Sequence, residues 1–313
     1  MPFTAKSGKF NASINVVEFG TGDKAVKIGG ENVFPLYSFD AAIENAPKVG
    51  IEITDFGMEH EPECIKKYYE GCATLADMAR KAASMEGVDF LSFRMEGGDP
   101  NGANKSTEEL IGELKEIADA VDLPLVVCGC KNVEKDVELF SKAAEALNGK
   151  NAVILSAKEE NYKTVGAAAG LAYKQIVGAE SAVDINLAKQ LNVLISQLGV
   201  DSKSVVMNVG SAAVGYGFEY VISTMDRVKA AALQQGDANL QMPIITPVAS
   251  EAWGVKEAMA SETDAPEWGS QEERGIDMEV ETAMAVIAAG SNAVILKHPE
   301  YIKIISGLMK ELV

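Results

Sequence analysis

The chain has 313 residues, 47% of them hydrophobic, and a formal net charge of −18. That length and apolar content support one large domain with a full core, and so acidic a surface argues against nucleic-acid backbones and anionic membranes as partners. No apolar stretch approaches the roughly 20 residues of a membrane span, Met1-Pro2-Phe3-Thr4-Ala5-Lys6 lacks the apolar core of a signal peptide, and four cysteines do not make a disulfide scaffold, so a cytoplasmic protein is expected.

Residues 1–48 differ from the rest. Two short strands are predicted at 13–19 and 25–28, joined at Gly20-Thr21-Gly22-Asp23, with a second turn signal at Gly29-Gly30-Glu31-Asn32. Together they make an N-terminal β-meander. From 49 to 313 one phrase recurs eight times: a short apolar run, turn residues, then an amphipathic helix. The runs lie at 49–54, 88–94, 125–128, 152–157, 182–185, 204–209, 243–248 and 293–297. Their starts are about 25–50 residues apart, the span of a βα unit. Each run is apolar on consecutive positions, as parallel strands buried on both faces require. The fold class is therefore α/β, a (β/α)8 TIM barrel with the N-terminal β-meander expected to pack against its bottom.

Helix signals come in chain order. Ser106-Thr107-Glu108-Glu109 resembles a capping start for a helix to about Val121, and Asp122-Leu123-Pro124 breaks it. Asn148-Gly149-Lys150-Asn151 ends the third helix and Leu198-Gly199-Val200-Asp201 the fifth. Gly290 closes a helix that begins near Glu272, and a last helix covers 301–312. The connection from Val248 to Glu272 is long and contains both tryptophans, Trp253 and Trp268. A long loop on the functional face serves as a lid, a binding loop or a partner contact. Its tryptophans either mark an interface or pack over the barrel rim.

In a TIM barrel the functional groups lie beyond the C-terminal ends of the strands. The spacings of Cys64, Cys72, Cys128 and Cys130 fit no iron–sulfur binding run, so no cluster is expected on this chain. His60 and His298 show no helical metal-ligand spacing, and no metal site is assigned. There is no Walker loop and no Gly-x-Ser-x-Gly elbow. Lys158 follows strand four and Lys297 ends strand eight, but strand six, the first place to look for a Schiff-base lysine, reads Val205-Val206-Met207-Asn208-Val209. The rim is instead rich in glycine and neutral hydrogen-bonding groups, which suit a large ligand that carries the hard chemistry itself.

Several rim segments together resemble one family. They are Gly215-Tyr216-Gly217-Phe218-Glu219-Tyr220, Met225-Asp226-Arg227, Leu240-Gln241-Met242-Pro243-Ile244, Gly29-Gly30-Glu31 with Phe34-Pro35, the stretch from Asp184 to Leu191, and Glu251-Ala252-Trp253. The combination resembles the small (delta) subunit of the corrinoid/iron–sulfur protein of the anaerobic acetyl-CoA (Wood–Ljungdahl) pathway. The resemblance implies a heterodimer in which a large subunit carries a [4Fe–4S] cluster and a corrinoid (cobamide), and the small subunit's barrel mouth caps the corrinoid. It further implies two working partners. A methyltetrahydrofolate methyltransferase supplies a methyl group, and CO dehydrogenase/acetyl-CoA synthase receives it. The candidate corrinoid contacts are Asn208, Gly210, Ser211 and Gly215 in the strand-six loop, with Thr54, Arg94, Ser250 and Trp253 as further candidates. No catalytic residue is assigned.

Two other readings remain open at this point. A free-standing pterin-dependent methyltransferase of the dihydropteroate-synthase kind would use Asp55, Asp184, Asn186 and Asn208 on a pterin ring. A purely structural subunit would leave the barrel mouth empty.

Overall fold

In the computed structural model, residues 8–313 are described; residues 1–6, where no signal-peptide core was read, lie outside them. Eight parallel strands form a barrel: β3 (Lys48–Thr54), β4 (Phe90–Arg94), β5 (Leu125–Cys128), β6 (Val153–Ala157), β7 (Ile176–Glu180), β8 (Val205–Asn208), β9 (Ile245–Pro247) and β10 (Ala293–Leu296). Each pairs in parallel with its sequence neighbour, and β10 returns to β3, with Ala293 opposite Lys48. The remaining seam, between β8 and β9, closes through a parallel bridge of Met207 with Ile244 and a 2.8 Å bond from Met207 N–H to the Pro243 carbonyl.

Eight outer helices follow the strands among the described residues: α1 (Leu75–Ala83), α2 (Thr107–Ala120), α3 (Val133–Ala146), α4 (Tyr162–Val165, running on as a π-helical segment Gly166–Ala172), α5 (Ile185–Gln197), α6 (Phe218–Leu233), α7 (Gln271–Ala289) and α8 (Pro299–Leu312). Their starts are set locally. Thr74 closes a capping box on α1, the Ser106 hydroxyl accepts from Glu109 N–H on α2, and Ser270 does the same for Glu273 on α7. Gly290 ends α7 in a positive-φ conformation, as a helix stop requires. No helix among the described residues is long and apolar enough to cross a membrane.

The two strands near the N-terminus, β1 (Val17–Phe19) and β2 (Val26–Ile28), pair antiparallel with Val17 opposite Ile28. Their inward residues Val17, Phe19, Val26 and Ile28 join Phe90, Val126, Val153, Ile176, Val206, Ile245 and Ala293 in one buried cluster. Those barrel residues stand first or second in their strands, so the hairpin plugs the N-terminal end of the barrel. The Phe19 ring meets Phe90 edge-to-face at 5.5 Å, and Gly50 leaves the space the Phe90 ring occupies.

One predicted strand is misplaced. Strand five runs over Ile176–Glu180 and not 182–185. Ala182 and Val183 take left-handed conformations (φ 44° and 59°), and Asp184 caps α5 by accepting from the N–H groups of Asn186 and Leu187. A capping aspartate competes with any extended conformation at that point, and the preceding run, from Ile176 to Ala179, is the one buried on both faces.

Candidate functional site

Side chains alternate along a strand, so the residues two and four positions beyond the plugged layer also point inward. At the C-terminal ends these are Glu52, Arg94, Cys128, Glu180, Asn208 and Lys297. The result is a polar layer over an apolar barrel, and its charges are arranged in pairs. Arg94 Nη2 lies 2.8 Å and Nε 3.0 Å from Glu52 Oε2 in a fully buried contact. Lys297 Nζ reaches both oxygens of Glu61, at 2.8 and 3.0 Å. Lys158 sits 3.3 Å from Glu180, and Lys131 2.9 Å from Glu251. Burial disfavours the charge on Arg94 and Lys297, but the facing carboxylates outweigh it, and both cations are held above their usual pKa.

The mouth holds two adjoining cavities. The larger, about 460 Å³, is bounded by Ser156, Lys158, Glu180, Asn208, Ser211 and Tyr216 among others. The smaller, about 370 Å³, is bounded by Thr54, His60, Glu61, Glu96, Trp253 and Lys297 among others. Arg94, Gly129, Lys131 and Ser250 line both. Of the candidate contacts named from the sequence, Asn208, Gly210 and Ser211 face the larger cavity, Thr54 and Trp253 the smaller, and Arg94 and Ser250 both. Gly215 faces neither; it sits on an outer groove with Phe218, Ile222 and Asp226. The strand-six loop turns outward there at φ 86°.

The loop is organised by Asn208. Its Nδ2 donates to Ser156 Oγ at 3.1 Å, and its Oδ1 accepts from Gly210 N–H at 3.1 Å. Both ends of the amide are thus used within the chain. Ser211 Oγ, by contrast, is buried and has no hydrogen-bond partner among the described residues. The sequence reading gave no site role to the carboxylates Glu52, Glu180 and Glu251, whose partners lie far away in the chain or on another strand.

The tryptophans behave differently from one another. Trp253 is 5% exposed and stacks parallel on His298 at 6.2 Å, beneath the rim. Trp268 is 37% exposed and carries Lys256 and Arg274 over its face. The long connection is built from single helical turns, including Ala249–Ala252 and Lys256–Met259. Trp253 therefore packs against the barrel rim, with an edge on the smaller cavity.

The pterin set does not assemble. Asp55 is buried away from the cavities, accepting Gly97 N–H at 2.9 and 3.2 Å and pairing with Lys105 at 3.1 Å. Asp184 is spent capping α5, and Asn186 is exposed beyond the rim.

Comparisons with known proteins agree on the fold and the family. Dihydropteroate synthase from Xanthomonas albilineans superposes with a TM-score of 0.54 at 11% identity, covering 95% of this chain and 98% of that one. The Thermus thermophilus enzyme with 4-aminobenzoate gives 0.54 at 12%, covering 95% and 100%; at such identities the likeness is one of barrel architecture. Among sequence relatives, the acetyl-CoA decarbonylase/synthase complex subunit delta of Methanothermobacter thermautotrophicus is 32% identical over 92% of this chain and 73% of its own length. Subunit delta 1 of Methanosarcina thermophila is 29% identical over 94% of this chain, which spans 67% of that protein. For subunit delta of Archaeoglobus fulgidus the values are 30%, 94% and 65%. The family described as CO dehydrogenase/acetyl-CoA synthase delta subunit matches residues 16–309. With nearly the whole barrel and its hairpin inside that match, the chain belongs to the CO dehydrogenase/acetyl-CoA synthase delta subunit family.

Proposed function

We propose that this chain is the small subunit of a heterodimeric methyl carrier in a cytoplasmic, anaerobic acetyl-CoA pathway. In this reading its barrel mouth covers a corrinoid held by a larger subunit, which also carries the [4Fe–4S] cluster. The pair takes a methyl group from methyltetrahydrofolate through a methyltransferase and passes it to acetyl-CoA synthase. When bound, the corrinoid supplies the cobalt that holds the methyl group in transit. The chain itself contributes no reacting group; it binds, orients and excludes water.

The observation that carries this reading is that the mouth offers no unpaired cation among the described residues. Each lysine and arginine lining the cavities already faces a carboxylate. What remains for a ligand includes no free cation: it is the orphaned Ser211 hydroxyl, the hydroxyls of Thr54, Ser156 and Ser250, backbone at Gly129 and Gly210, the exposed rings of Tyr216 and Tyr220, and, on the smaller cavity, His60 with the carboxylates Glu96 and Asp99. A corrin macrocycle presents peripheral amides, which such groups satisfy without a countercharge. Ser211 is the first donor expected at an amide, with Ser156 beside it. Asn208 holds both in place, and Arg94 closes the floor between the cavities.

The test is co-purification with the large subunit, followed by a visible spectrum. Corrinoid absorption in the complex, and its loss after dialysis of Ser211→Val, is the expected result. A colourless complex, or a lone chain that binds methyltetrahydrofolate, overturns the reading.

A further inference from the structure

We propose that Lys131 and Glu251 are ligand-binding residues held in reserve, bonded to each other as a strap across the barrel mouth until a large ligand parts them. The identity of that ligand rests on the function proposed above; the strap itself does not.

The topology places the two residues on opposite sides. Numbered around the barrel from β3, Lys131 follows the third strand and Glu251 the seventh of eight, which face each other across the mouth. Their 2.9 Å contact therefore spans the opening. The two cavities lie on either side of this line. The larger is bounded by the ends of the fourth, fifth and sixth strands, and the smaller by the eighth and first, while Gly129, Lys131 and Ser250 belong to both. The strap crosses the mouth where the two cavities adjoin, above Arg94, which also lines both.

It is also the most exposed of the four ion pairs at the mouth. The Glu52–Arg94 side chains are 1% and 8% exposed, and those of Glu61 and Lys297 7% and 13%, so separating either would strand a buried charge. Lys131 and Glu251 are 61% and 32% exposed. An exposed pair contributes about 0–1 kcal/mol and is screened by salt. The backbone below is anchored, with Asp136 accepting Cys130 N–H at 2.8 Å and filling the space beside Gly129. Glu251 stands on the helical turn Ala249–Ala252. Opening thus needs only side-chain rotation, a fast and local change. A corrin macrocycle with its amides exceeds either cavity alone. With the strap parted the cavities join, and an ammonium and a carboxylate are released at opposite edges, one to donate and one to accept.

Cys128 reports the strap without any ligand. It lies beneath Lys131 on the floor of the larger cavity and is 2% exposed. In a Cys64→Ser/Cys72→Ser/Cys130→Ser background, its modification by methyl methanethiosulfonate is followed at low and high sodium chloride. The expected result is faster labelling at high salt, by up to about fivefold, the equivalent of a 1 kcal/mol pair. Glu251→Gln should label fast at every salt concentration, and the reversed pair Lys131→Glu/Glu251→Lys should restore slow, salt-sensitive labelling. Equal rates in all three proteins would overturn the strap. In the complex with the large subunit, Lys131→Ala and Glu251→Gln should each lose corrinoid faster on dialysis than the wild type. Retention equal to wild type refutes their role as contacts. A wild-type complex without corrinoid refutes the assigned ligand, while the thiol rates still decide the strap.

Discussion

Glu279 on α7 is fully buried, and its two oxygens accept the backbone N–H groups of Lys297 and His298 at 2.6 and 3.0 Å. Burial pushes its carboxyl from 4.5 up to about 7, with the two N–H donors pulling the other way. A carboxyl raised in the folded state binds its proton more tightly there than in the unfolded chain. Its contribution to stability is therefore present at low pH and lost as pH rises from about 4.5 through about 7. Glu279→Gln should remove this loss. Relative to wild type, the variant should gain stability across that window, by an amount on the order of 3 kcal/mol, in urea titrations run at a series of pH values. A wild-type-minus-variant difference that is flat with pH would show that Glu279 does not titrate there. The same scale shows why some site residues were legible and others were not. Asn208 and Ser211 announce themselves as polar residues after a strand, whereas Glu52 sits inside an apolar run and reads as an exception until Arg94 is seen beside it.

At the scale of elements, the chain before the barrel is fastened by a buried lysine. Lys229 of α6 is 1% exposed and bonds Glu31 at 2.8 Å and Asn292 at 3.0 Å, so one side chain joins the segment after the hairpin to a helix and to the entry of β10. Lys229→Met leaves the Glu31 carboxylate buried without its cation and should cost about 3–5 kcal/mol. The double variant Lys229→Met/Glu31→Gln should recover much of that loss, as measured by chemical denaturation. Most elements were readable because their signals are local: consecutive apolar residues for the strands, Ser106 for a helix start, Gly290 for a stop. Strand five was misplaced because Ala182 and Val183 are apolar but left-handed, and only the Asp184 cap distinguishes loop from strand there.

On the scale of the whole molecule, the long connection after β9 belongs to the barrel. Trp253 lies between His298 at the end of β10 and Gly275 of α7, whose missing side chain makes room for the indole. Far-UV circular dichroism and tryptophan fluorescence should therefore report one coincident urea transition. An earlier fluorescence change would mean that the connection unfolds by itself. Family membership, barrel and hairpin all follow from patterns spread over the chain, and the amino-acid order alone determines them because βα units, caps and turns are short-range physics. The mouth is different. Arg94 meets Glu52 across 42 positions, Asn208 meets Ser156 across 52, Lys131 meets Glu251 across 120 and Lys297 meets Glu61 across 236. No local rule links such partners. Closure of the barrel brings eight strand ends onto one ring, and only that closure decided which charges cancel, which hydroxyl is left without a partner, and where the strap crosses.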